Sequence, residues 1–101
     1  MIYSIESSTM FSKEQVTTIS NILNTLSIRT KQDLSILNAR LANTSNSELK
    51  VKTQEEINVI IQKWSNQVRK LGCIPIALHR VRIPSDDHSF VWSLAGGLEE
   101  L

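Results

Sequence analysis

The chain predicts an α+β fold, a long antiparallel two-helix hairpin followed by a C-terminal β-hairpin packed on its base. Two stretches repeat their apolar residues at helical spacing. The first holds Val16, Ile19, Leu23, Leu26, Leu34, Leu37 and Leu41; the second holds Ile57, Ile60, Ile61, Trp64, Val68 and Leu71. Such a period puts each set on one face of a helix. Beyond Gly72 the period falls to two, in Val81 and Ile83 and again in Phe90, Trp92 and Leu94, as in strands with one buried face.

Residues 1–11 form a mixed lead-in, where Ile2, Tyr3 and Ile5 suit either a short strand or packing across the core. The first helix is expected over 12–42. Ser12 and Gln15 have the spacing of a capping box, and Phe11 and Val16 that of a hydrophobic staple. Ser4, with Glu6 in the first turn, is a rival start. Thr17, Thr18, Ser20, Asn21 and Asn24 are mediocre helix formers, because their side chains compete for backbone hydrogen bonds. The stability of this helix must therefore come from docking its apolar stripe. Asn43 to Ser47 reads as the polar turn. The second helix is expected over 47–71; Thr53 with Glu56 forms its strongest start signal and Ser47 an earlier one. Arg69 and Lys70 favour the negative helix terminus, and Gly72 suits the left-handed position beyond it.

The β-hairpin is expected over 77–94. Alternation from Ala77 to Ile83 places His79, Val81 and Ile83 on one face, with Arg80 and Arg82 on the other. Pro84, Ser85, Asp86 and Asp87 are turn formers, and Ser89 to Leu94 is the return strand. Pro75 allows only a strand beginning or an edge. Gly96 and Gly97 end the hairpin and leave residues 95–101 as an acidic tail. A lone hairpin is marginally stable, so Phe90 and Trp92 should pack near Trp64, Val68 and Leu71.

With 101 residues the chain should form one domain that buries roughly 65% of its unfolded surface. A net charge of +1 gives no whole-molecule field toward nucleic acid or membrane. Cys73 is the only cysteine, so no intrachain disulfide forms, and its apolar neighbours mark it as a buried thiol. No charged leader precedes a long apolar run, and no run approaches the ~20 residues that span a bilayer. The expected setting is cytoplasmic, without membrane.

A helix over 12–42 is about 45 Å long, against about 28 Å for one from Thr53 to Leu71, at roughly 1.5 Å per residue. With the later start, Leu34, Leu37 and Leu41 overhang, and a second chain should cover them. The expectation is a homodimer through the helices.

His79, Asp86, Asp87 and His88 are the one group resembling a metal site. The plainer reading is a solvated turn with His79 half-buried on its strand. Lys70, Arg80 and Arg82, with Arg69 nearby, could bind phosphate, yet acids follow closely and Phe90 and Trp92 point to the core. No Gly-rich phosphate loop, paired-carboxylate motif or nucleophile elbow occurs, so no catalytic residue and no cofactor is assigned. These features point to a non-enzymatic interaction module that pairs with itself or with another protein. A nucleic-acid-associated or metal-binding protein is the alternative.

The order of features resembles the uncharacterised bacterial family called domain of unknown function 2203. Tyr3-Ser4-Ile5-Glu6-Ser7-Ser8 looks like its opening segment, and Leu71-Gly72 like its turn. Val81-Arg82-Ile83-Pro84 and Val91-Trp92-Ser93-Leu94-Ala95-Gly96 look like its closing pair. Arg82, Val91 and Gly97 stand where that family has an acid, a cysteine and an acid, so the resemblance implies the fold and carries over no catalytic residue. The retained Pro84, Trp92 and Leu94 are structural residues.

Overall fold

The computed structural model describes residues 11–85 and 89–100, and these form two helices followed by a four-stranded antiparallel sheet. Helix α1 spans Lys13–Asn43 and helix α2 spans Ser47–Lys70. Strands β1 (Ile74–Ala77), β2 (Arg80–Pro84), β3 (Ser89–Ser93) and β4 (Gly97–Glu100) lie in sequence order across the sheet.

Ser12 caps α1 through the expected box. Its Oγ accepts from the Gln15 backbone N–H at 3.3 Å, and Gln15 Oε1 accepts from the Ser12 N–H at 2.8 Å. Ser12 itself has extended backbone angles, which ends the helix there; the rival start at Ser4 lies outside the described residues. Helix α2 begins at the earlier of the two expected positions. Asn46 is its cap, with Oδ1 accepting from the Leu49 N–H at 3.2 Å. Thr53 is therefore not a cap but a buried residue inside the helix, and its Oγ1 has no hydrogen-bond partner among the described residues.

The end of α2 follows from Gly72, whose φ of 90° only glycine adopts without strain. The Gly72 N–H donates to the Arg69 carbonyl at 2.9 Å and the Cys73 N–H to the Val68 carbonyl at 3.2 Å, the Schellman pattern. A Cβ at Gly72 would also sit 3.1 Å from the Phe11 ring. Phe11 is fixed from its other side: its N–H donates to the Pro84 carbonyl at 3.0 Å, and the Ser85 hydroxyl donates to the Phe11 carbonyl at 2.8 Å.

The strand region differs from a single hairpin in two places. Ala77 to Ile83 is not one strand, because Leu78 and His79 form a tight turn that folds β1 back on β2, with Ala77 paired to Arg80. His79 takes a φ of 60° there and does not share a strand face with Val81 and Ile83. The expected acidic tail also joins the sheet. Gly97, at φ 72°, reverses the chain after Leu94 to Gly96, and β4 pairs Glu99 with Val91 and Leu98 with Trp92. Pro75 sits on the edge strand, where its missing N–H breaks no central ladder.

Pairing register explains the burial. Val81 and Trp92 lie opposite one another on the inner face, as do Ile83 and Phe90, and all four are buried against the helices. Val91 points outward yet is also buried, flanked directly by Arg82 and Glu99 in the neighbouring strands. Long charged side chains readily shield an apolar neighbour with their stems. The main core joins Val16, Ile19 and Leu23 of α1 and Trp64 and Val68 of α2 to Cys73 and the inner sheet face. A second, smaller cluster of Leu34, Leu37 and Ile57, with Leu41 beside it, holds the distal half of the helical hairpin, beyond the sheet.

Candidate functional site

Leu34 and Leu37 are each only 7% exposed, because Ile57, Ile60 and Ile61 of α2 pack against them. The overhang expected from a start at Thr53 is absent, and Leu34, Leu37 and half-buried Leu41 belong to the hairpin's own core. What the distal half leaves open is a flank. Ile36 is 62% exposed and Val59 is 64% exposed. They border a groove of about 560 Å³ between the helices, which Leu37 and Ile60 also line and which Lys52, Glu55 and Glu56 edge. A narrower cavity of about 190 Å³ adjoins it through Asp33 and Ile60 and reaches Arg29, Lys63 and Gln67. Glu56 at the edge of the groove pairs with Arg40 at 3.2 Å, with side chains 49% and 47% exposed. Such a pair in solvent contributes little to stability.

Sequence reasoning missed Ile36 and Val59. The available signal was that both are apolar yet fall off the core stripe of their helix, and that charged residues flank each at regular spacing.

His79 sits in the tight turn between β1 and β2. Its ring meets Trp64 edge-on at 5.7 Å between centroids, and its Nδ1 is buried with no hydrogen-bond partner among the described residues. Burial, and then the charge of Lys31, lower its pKa below the usual value. Asp86, Asp87 and His88 lie outside the described residues, and among those described no three His, Cys, Asp or Glu side chains cluster as a metal site would require. Cys73 is buried at the base, and burial pushes its thiol up to about 11, which suits an inert core thiol.

Lys70 lies at the exposed end of α2, whereas Arg80 and Arg82 lie on the outer face of the sheet. Arg82 donates to Ser89 Oγ at 3.3 Å, and across Val91 from it stands Glu99. The cations therefore share their face with an acid and do not form an unbroken stripe. No described helix is long and apolar enough to cross a membrane. No family model matches the chain, and no curated protein or solved structure matches it.

Proposed function

We propose that the chain is a non-enzymatic interaction module that works as a helix-mediated homo-oligomer in the cytoplasm. One observation carries the reading: two large apolar side chains, Ile36 and Val59, stand more than half exposed side by side on a groove between two helices. Exposed apolar surface gathered in a groove and rimmed by charge is the ordinary make-up of a docking face. The single buried thiol suits a reducing compartment. Kinship with the domain of unknown function 2203 belongs to the same reading and rests on the motifs quoted above.

Sedimentation of the full chain from low to high micromolar concentration tests it. The expected outcome is a rise in mass toward the dimer; a monomer throughout would sink the reading.

A further inference from the structure

The charges around Ile36 and Val59 follow a pattern that specifies an occupant for the groove. In α1, Asp33 and Arg40 stand seven residues apart with Ile36 between them; in α2, Glu56 and Lys63 stand seven apart around Val59. Spacings of three, four and seven keep each trio on one helix face. The contact between Arg40 and Glu56 shows that both trios look onto the same flank. It also sets their level. Ile36 lies four residues from Arg40 and Val59 three from Glu56, about 6 and 4.5 Å along the antiparallel helices at roughly 1.5 Å per residue. The two apolar residues are thus level, each with an acid on one side and a base on the other.

That arrangement is self-complementary under a two-fold rotation. An axis lying in the interface and crossing both helices at Ile36 and Val59 sets each helix antiparallel on its own copy. Asp33 then meets the partner's Arg40, Lys63 meets the partner's Glu56, and the apolar residues meet their equivalents at the centre. Each Arg40–Glu56 pair becomes the middle of a four-membered charge ladder, a network of the kind that contributes more than isolated surface pairs. Steric fit follows from the same axis. The sheet packs on Val16, Ile19 and Leu23 of α1 and on Trp64 and Val68 of α2, and the rotation carries the partner's sheet to the opposite, Asn43 end of the hairpin. An axis along the helices would instead pair Asp33 with the partner's Lys63 and Arg40 with the partner's Glu56 and set both sheets at the same end; the double reversals below re-form partner pairs only in the antiparallel packing.

Resting on the reading of the chain as a homo-oligomer, we infer that the Ile36–Val59 groove receives a second copy of this chain in an antiparallel, two-fold packing. Sedimentation of the full chain with charge reversals tests it. Glu56→Lys alone and Lys63→Glu alone should each weaken the dimer at least about tenfold, since each reverses two symmetry-related contacts. Combined in one chain, they restore opposite charges across the axis and should recover most of the lost affinity, but not all of it, because Glu56→Lys also breaks the Arg40–Glu56 pair at the middle of the ladder. Asp33→Arg with Arg40→Asp provides a second, independent swap, and Ile36→Glu should abolish the dimer. All of these positions are exposed, so helical circular dichroism should be unchanged. A dimer indifferent to every one of these changes would overturn this packing while leaving a homo-oligomer in place elsewhere. A double reversal that fails to recover would overturn the antiparallel arrangement. A chain that stays monomeric at high concentration would overturn both this inference and the reading beneath it.

Discussion

Trp64 and Ser27 are joined inside the main core, where the indole N–H donates to the serine Oγ at 2.9 Å. Ser27 is fully buried on a helix face lined, apart from Thr30, by large apolar residues. A buried indole needs a partner for its one donor, and this small hydroxyl supplies it. Ser27→Ala should therefore destabilise the chain by about 1–3 kcal/mol, since the N–H loses its acceptor without gaining water. Adding Trp64→Phe to Ser27→Ala removes the orphaned donor, so the pair should be clearly non-additive in chemical denaturation.

Trp92 closes the same core from the sheet. It is buried opposite Val81 and packs in one cluster with Leu23, Trp64 and Val68. Trp92→Ala should cost about 3–5 kcal/mol, as for other large-to-small changes in a packed core. In thermal unfolding that is a fall of at least ~12 °C for a domain of this size. An unchanged midpoint would mean the sheet does not rest on the helices.

The helical part of this architecture was legible because its signals are local and redundant. Ser12 with Gln15 and Gly72 after Lys70 each mark a helix end through a specific backbone need, and both ends lie where those residues stand. The sheet was only half legible. Phe90 and Trp92 were readable as core, but β1 and β4 are four residues each, too short for a period, and both depend on turns made by residues with positive φ. His79 is one of these, and nothing in an alternating pattern marks a non-glycine residue as a turn. Thr53 misled for a similar reason: threonine followed by Glu56 has cap spacing, while tertiary packing buries it inside a helix. A start at Thr53 would leave Leu34 and Leu37 looking uncovered by helix length alone, yet Ile57, Ile60 and Ile61 pack on them, and the open apolar residues of this half include Ile36 and Val59.

The cations at the base provide a contrast between two functional readings. Because Arg82 lies across Val91 from Glu99, and Lys70 stands on a different element from Arg80, the base should hold polyanions weakly. Retention on heparin should be slight at physiological salt and should change little when Lys70, Arg80 and Arg82 are all replaced by Gln. Strong, salt-sensitive retention that the triple change removes would instead favour a nucleic-acid-associated protein.

His79 should make the chain acid-sensitive. Burial, followed by the positive charge of Lys31, lowers its pKa below 6.5, so the folded chain holds this proton less tightly than the unfolded chain does. The stabilisation that results is fully present above 6.5 and is lost as pH falls from there through the folded pKa. Its ring lies edge-on to Trp64 with Nδ1 enclosed, so protonation would place charge in a site that offers no acceptor among the described residues. Asn tolerates the left-handed backbone at this turn and does not titrate there. His79→Asn should therefore keep the turn between β1 and β2 while flattening the dependence of unfolding free energy on pH below 6.5. Urea titrations of both chains across that range measure it. A slope equally steep in the variant would assign the acid sensitivity to other groups.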